Sequence, residues 1–350
     1  MEVALRNKSI PAGRGKHMLK IGVIGYGYWG TNIVRNFHRC AGSRVEMVCD
    51  KSPKMLERLK QSYIDIKTST DCMDAIHSAN IDAIAVVTPV WAHYELAKQA
   101  LLNGKHVFVE KPFTCNVAQA DELIELAEAK HLQIMVDHTF LYTGAVRKIR
   151  QFIDNGTLGK LYYYDSTRVN LGLFQHDINV LWDLAPHDLS IMDYLIDGKV
   201  EAISATGQKH LNGHEDVAYL TVYFSNKIIA HINVNWLSPV KIRTTLIGGE
   251  NRMLVWNDLE VDEKIRVYDK GVHIENSSAV YDLLVSYRSG DMWAPQVDRN
   301  EALDVEIAHF VDCICNGKKP QTDGHSGRRV IQMLEAASQS LLNRGEAVSL

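Results

Sequence analysis

No apolar run in this 350-residue chain approaches the roughly 20 residues needed to cross a bilayer, so a membrane-spanning helix is excluded and a soluble protein is expected. Charge of one sign is not in excess either. The formal net charge of −4 leaves no basic footprint for nucleic acid. Cysteine is sparse: six residues, at positions 40, 49, 72, 115, 313 and 315, contain no C-x-x-C pair. Most lie inside apolar periodicities and read as reduced packing residues of a cytoplasmic protein rather than as a disulfide framework. The 15 histidines are scattered without ligand spacing, and no metal site is expected. Met1–His17 carries Arg6, Lys8, Arg14 and Lys16 but lacks the apolar core of a secretory signal, so it reads as a disordered leader with Met18 as an alternative start. Internal repeats and low-complexity segments are absent.

The apolar fraction of 46% and the charged fraction of 23% are those of a globular protein, long enough here for two domains with separate cores. The most informative stretch is Leu19–Gly30, LKIGVIGYGYWG. Ile21, Val23 and Ile24 read as a buried strand, and Gly25, Gly27 and Gly30 follow with G-x-G-x-x-G spacing. That spacing permits a tight turn, close approach of backbone to a diphosphate, and tight packing of a helix on its strand. The helix opening at Tyr28 and Trp29 would offer its unpaired amides and its dipole to the diphosphate. Twenty-five residues after Gly25, a second strand ends in Asp50. A carboxylate there accepts from an adenosine ribose diol and repels a 2′-phosphate, which favours NAD. Lys51 is a neighbouring cation able to tolerate that phosphate, so NADP is not excluded.

From Met18 to about residue 140, strand candidates Lys20–Ile24, Arg44–Cys49, Ala83–Thr88, His106–Val109 and Gln133–Val136 alternate with helices. This is the α/β pattern of a doubly wound parallel sheet. From 141 to 350 the character changes. The runs Leu161–Val169, Val200–Gly207, Val217–Phe224, Ile228–Asn235, Val240–Gly248, Met253–Trp256 and Lys264–Tyr268 predict an α+β domain with a large, mostly antiparallel open sheet. Helices are expected near Val180–Ile196, Glu301–Cys315 and Gly327–Asn343, the last two packing back on the first domain. Apolar residues on both faces of the second sheet predict a homodimer or homotetramer formed sheet to sheet.

Ligands of an open α/β sheet lie beyond the carboxyl ends of its strands. Thr88-Pro89, with Trp91 and His93 opening the next helix, therefore faces the cofactor, and so does Glu110-Lys111-Pro112 after the strand HVFV. A lysine there can donate to a substrate hydroxyl or carbonyl, and a neighbouring nicotinamide cation favours loss of its proton. In LWDLAPHDLSIMDY, Asp183 and His187 are four residues apart and share a helix face, so the carboxylate can hold the imidazole or touch the same hydroxyl. Histidine can take a hydroxyl proton as hydride leaves the adjacent carbon. Pro186 fits only a first turn, which predicts a helix starting near Ala185 with Asp183 at its cap. Asp188 reads as a supporting charge, and Tyr142 and Arg168 either as contacts to substrate oxygens or a phosphate or, equally, as residues that serve the fold. His138 ends a strand and either approaches the nicotinamide or only caps that strand, and His176 lies in a loop, Asn170–Asn179, long enough for a lid.

Together, the glycine fingerprint, Thr88-Pro89 with His93, Glu110-Lys111-Pro112 and the Asp183-x-x-x-His187 pair resemble the Gfo/Idh/MocA oxidoreductases, named for glucose-fructose oxidoreductase and inositol dehydrogenase. The resemblance covers nearly everything after Met18. It implies a Rossmann domain, a second domain with a larger sheet, and cofactor-dependent oxidation or reduction of a sugar or cyclitol carbon. It also implies that Lys111, Asp183 and His187 line the substrate site. The wording G-Y-G-Y-W-G and E-K-P-F is most similar to members acting on nucleotide-linked sugars, which implies oxidation at C3 of a UDP-N-acetylglucosamine-type substrate. Alternatives are an inositol, hexose or hexose-phosphate dehydrogenase, a keto-deoxysugar reductase, and a cofactor-binding sensor without turnover.

Overall fold

The computed structural model describes residues 18–172, 178–211, 213–274 and 285–350. The expected leader and His176 lie outside these residues. The first sheet contains β1 (Leu19–Ile24), β2 (Ser43–Cys49), β3 (Lys67–Ser69), β4 (Ala83–Val86), β5 (His106–Glu110) and β6 (Ile134–Asp137). All neighbours are parallel, in the order β3-β2-β1-β4-β5-β6. Strands β4 and β6 are buried at every residue, because helices cover both faces of a parallel sheet; continuous apolar runs follow from that. The edge strand β3, Lys-Thr-Ser, carries no apolar run and escapes a pattern-based reading. Five helices complete this layer: α1 (Tyr28–Arg39), α2 (Pro53–Ser62), α3 (Met73–Ile76), α4 (His93–Leu102) and α5 (Val117–Ala129). Strand order reverses between β1 and β4, which sets a ligand crevice at the carboxyl ends of these strands.

A 3₁₀ turn, Thr139–Tyr142, and α6 (Gly144–Asp154) lead into a nine-stranded sheet. Its strands are β7 (Leu161–Val169), β8 (Val200–Gln208), β9 (Val217–Phe224), β10 (Ile229–Asn235), β11 (Ile242–Gly249), β12 (Met253–Asn257), β13 (Ile265–Ile274), β14 (Val285–Trp293) and β15 (Val348–Ser349). The order is β14-β13-β12-β11-β7-β10-β9-β8-β15, antiparallel except for the β7–β10 pair. Strands β14 and β15 were not predicted, and β13 runs six residues beyond the expected Tyr268.

One face of this sheet is covered by α7 (Val180–Leu195) and α9 (Gly324–Leu342), with α8 (Ala302–Asn316) between them in sequence. Helix α7 occupies the expected Val180–Ile196 span to within a residue, and the later start near Ala185 suggested by Pro186 is not taken. Asn179 caps the helix, accepting from the Trp182 amide at 3.1 Å, and the helix runs straight through Pro186. Interior proline costs about 3 kcal/mol. Six large apolar residues of α7 are fully buried, each contributing about 1.5–3 kcal/mol, and this outweighs the proline. Helix α8 returns to the first domain: the Phe310 ring packs edge-on against Phe37 and Phe108, with centroids 6.1 and 5.6 Å away. Helix α9 starts at Gly324, three residues earlier than predicted, because Asp323 caps it.

Candidate active site

The glycine turn after β1 has the geometry its residues allow. Gly25 has φ +99°, and a Cβ there would stand 2.1 Å from the Val87 oxygen; one on Gly30 would stand 2.2 Å from the Gly25 oxygen. Gly27 has nothing within 4 Å of an added Cβ, so the backbone at the start of α1 faces open space. No side chain caps that helix. Its first amides are free donors on the positive end of a helix dipole, which is what a diphosphate requires. Tyr28 and Trp29 sit exposed at this end, their rings 5.3 Å apart.

Asp50, beyond β2, accepts from the Tyr26 amide at 2.7 Å and from the Ser52 amide at 2.8 Å. It therefore ties the glycine turn to the second strand, and each oxygen keeps a lone pair for a ribose diol. The Lys51 ammonium is drawn toward the exposed Trp91 ring, 6.0 Å from its centroid. Together with the glycine cradle, these groups fit an adenine dinucleotide.

Two expected cofactor contacts turn inward instead. His93 is buried, with Nδ1 2.8 Å from the Pro112 oxygen and Nε2 2.7 Å from the Thr88 oxygen. A neutral ring donates to one of them, and burial lowers its pKa although the carbonyls pull the other way. The imidazole thus bridges the loops after β4 and β5 and has no nitrogen left for a cofactor. Glu110 is buried opposite its registered partner Asp137, and Glu306 of α8 joins them. Glu306 faces Asp137 and Thr139, and burial beside a second carboxyl favours its protonated form, which can donate to Asp137. Burial, then the Asp137 charge, pushes both Glu110 and Glu306 well above the ordinary carboxylate range. Burial also raises Asp137, against a hydrogen bond from Thr139.

Lys111 follows Glu110, and the Lys111–Pro112 bond is cis. Its ammonium donates to the Asp183 main-chain oxygen at 2.8 Å and lies 3.4 Å from the carboxylate Oδ1. Trp236, just beyond β10, donates to Asp183 Oδ2 at 3.2 Å. Asp183 thus directs its carboxylate at Lys111 and Trp236, so of its two expected roles, holding the imidazole or touching the substrate hydroxyl, the first is not met. Nδ1 of His187 is buried with no hydrogen-bond partner among the described residues. Burial, then the charges of Lys111, Arg168 and Arg243, holds its pKa well below the usual value, so the ring is neutral. His138 is likewise buried, both ring nitrogens without a partner among the described residues, and is pushed down to about 3 by burial and then Lys111.

Of the two roles open for Arg168 and Tyr142, contact to substrate or service to the fold, their contacts are those of the second. Arg168 is 4% exposed and forks onto Asp188, Nε–Oδ2 2.6 Å and Nη2–Oδ1 3.3 Å, which commits two of its three nitrogens to the protein and leaves Nη1 buried without a partner among the described residues. Tyr142, also 4% exposed, points into the core toward α8, its hydroxyl 3.3 Å from Thr322 Oγ1. Sequence reasoning missed Trp236, Phe140, Arg243 and Glu306. Phe140 packs on His187, with ring centroids 4.9 Å apart, and the guanidiniums of Arg168 and Arg243 lie 4.4 and 5.6 Å from its centroid. Only their convergence from separate elements marks them, and no local motif records it.

A glycine-cradled dinucleotide site, faced by a lysine and by an aspartate–histidine helix from a second domain, defines a two-domain nicotinamide-dependent oxidoreductase. The chain belongs to the Gfo/Idh/MocA family: residues 19–138 match the oxidoreductase family, NAD-binding Rossmann fold, and residues 146–255 match the GFO/IDH/MocA C-terminal domain. It is 25% identical over 318 residues to UDP-N-acetylglucosamine 3-dehydrogenase of Acidithiobacillus ferrooxidans, spanning 89% of this chain and 94% of that one. It is 24% identical over 319 residues to scyllo-inositol 2-dehydrogenase (NAD(+)) of Bacillus subtilis, spanning 87% and 89%. Among solved structures, the Acidithiobacillus ferrooxidans 3-dehydrogenase superposes with a TM-score of 0.78 at 23% identity, covering 93% of this chain and 98% of that one. A levoglucosan dehydrogenase in complex with NADH gives 0.80 at 17% identity, covering 95% and 98%.

Proposed function

We propose that the protein is an NAD-dependent dehydrogenase acting on a secondary hydroxyl of a sugar, at C3 of a UDP-N-acetylglucosamine-type nucleotide sugar. The observation that carries this is the 2.8 Å contact from Lys111 to Asp183, which brings a strand-end amine beside a neutral histidine one turn further along α7. When bound, the nicotinamide supplies the acceptor for the hydride. His187, held neutral, takes the hydroxyl proton, and Lys111 stabilises the alkoxide that forms. Asp183 orients the ammonium, because its main-chain oxygen and carboxylate both face Lys111. The similarity to the 3-dehydrogenase favours the nucleotide sugar.

An inositol substrate is the second reading, favoured by the similar coverage and identity of the scyllo-inositol enzyme. Incubation with NAD and either UDP-N-acetylglucosamine, scyllo-inositol or free hexoses, followed by absorbance of reduced nicotinamide, decides between them. Cofactor binding without turnover of any sugar would favour a sensor instead.

Assembly and location belong to the same reading. Tyr219, Tyr223, Ile229 and Leu246 are exposed on the sheet face away from α7 and α9, which supports sheet-to-sheet pairing of two copies. Size-exclusion chromatography showing only monomer at micromolar concentration would oppose this. No helix among the described residues is long and apolar enough to cross a membrane, and a cytoplasmic location suits the free cysteines.

A further inference from the structure

We propose that Phe140, clamped by Arg168 and Arg243, is the positioning residue for the His187 imidazole, in the place that a carboxylate occupies beside many catalytic histidines. The proposal rests on the reading of His187 as the base. A histidine that removes a proton must keep its ring plane fixed, and hydrogen bonding at the second nitrogen normally does this. Here Nδ1 has no such partner among the described residues. The nearest carboxylates along α7 are committed elsewhere: Asp183 to Lys111 and Trp236, and Asp188 to Arg168 and Ser166. What the imidazole does touch is the Phe140 ring, 4.9 Å away and tilted by 64°.

Phe140 is itself held. It lies in the 3₁₀ turn directly after β6. Arg168 and Arg243 stand opposite each other on β7 and β11, so both guanidiniums reach the same ring. Arg168 is locked in turn by its buried fork onto Asp188, the residue next to His187. The contacts close a loop: Asp188 fixes Arg168, Arg168 fixes Phe140, and Phe140 fixes His187. Tilted aromatic and cation–π contacts are each comparable in strength to one neutral hydrogen bond, so the stack can replace the missing one.

The clamp also carries charge. The groups facing His187 are Lys111 after β5, His138 after β6, Arg168 on β7 and Arg243 on β11, with Asp183 and Asp188 on its own helix. The cations oppose protonation of the ring, which leaves it able to accept a proton. Arg243 is paired less closely than Arg168, at 3.3 Å from Asp258, and is the cation most readily removed without opening a buried fork.

The test uses the full chain with NAD and UDP-N-acetylglucosamine, or whichever sugar of the panel is turned over. Phe140→Leu should lower kcat about tenfold or more, with little change in KM or in NAD affinity measured by tryptophan fluorescence. Phe140→Tyr, which keeps the ring, should recover most of the loss. Arg243→Met should move the acid limb of the kcat/KM profile to higher pH, because removing a cation raises the histidine pKa; a merely structural change would not. Wild-type kcat in Phe140→Leu, or an unmoved acid limb in Arg243→Met, overturns the proposal. His187→Asn separates the two readings: if it abolishes turnover while the Phe140 variants are unaffected, only the clamp fails, and if it remains active the assignment of the base fails with it.

Discussion

Lys111 and Asp183 lie 72 residues apart in sequence, yet the ammonium of one donates to the main-chain oxygen of the other at 2.8 Å. Their side chains are only 13% and 17% exposed, so the interaction is largely shielded from water. Lys111→Ala should therefore lower turnover by orders of magnitude while leaving NAD affinity nearly intact. It should also cost about 1–3 kcal/mol of stability, the usual worth of a hydrogen bond to a charged group in such a setting. Full activity in this variant would remove the proposed role of the lysine.

Asp50 accepts from two backbone amides, and its proposed ligand is the adenosine ribose diol. Asp50→Ala should weaken NAD binding and relax selectivity against NADP. Because it frees the Tyr26 amide, it should also loosen the glycine turn and lower stability by about 1–3 kcal/mol. Fluorescence titration with both cofactors, alongside thermal melts, separates the effects. An unchanged ratio of affinities would place the ribose contact elsewhere.

Much of this fold is legible in one dimension, and the reasons are local. Ala83–Val86 and Ile134–Asp137 are central parallel strands, and burial on both faces writes itself as uninterrupted apolar sequence. Gly25 and Gly30 mark places where a Cβ would collide with backbone. Pro186 misleads because propensity says nothing of how much apolar surface a helix buries. The site divides in the same way. Lys111 is readable from its place at a strand end. Whether the Arg168 guanidinium meets a ligand or Asp188 depends on how α7 lies across β7, and a contact over twenty residues leaves no local pattern. Phe140, Arg243 and Glu306 come from three unconnected elements and acquire meaning only where those elements meet.

His93 bridges the carbonyls of Thr88 and Pro112 and so fixes the loop that carries Lys111. Burial depresses its pKa, so the folded state prefers the neutral ring. Such a group contributes stability above its unfolded value, about pH 6.5, that is lost as the pH falls. His93→Gln should therefore narrow the stability gap between neutral and mildly acidic solution, and should reduce kcat by loosening the Lys111 loop. Chemical denaturation at several pH values reads the first effect and steady-state kinetics the second; a variant with the pH slope of the wild type would show that this ring titrates freely.

Glu110, Asp137 and Glu306 contribute a dependence of opposite sign. Burial raises all three, and the Asp137 charge raises Glu110 and Glu306 further, so the folded protein holds protons there that the unfolded chain releases from about pH 4.5 upward. Their contribution is intact below that value and is lost as the pH rises toward the folded pKa. Glu306→Gln imitates the protonated carboxyl: its amide can donate to Asp137 and it cannot ionise. It should melt a few degrees above the wild type near pH 8, with the difference shrinking toward pH 5. A variant less stable than the wild type at every pH, by a constant margin, would mean that Glu306 is charged in the folded protein and that no proton is shared with Asp137.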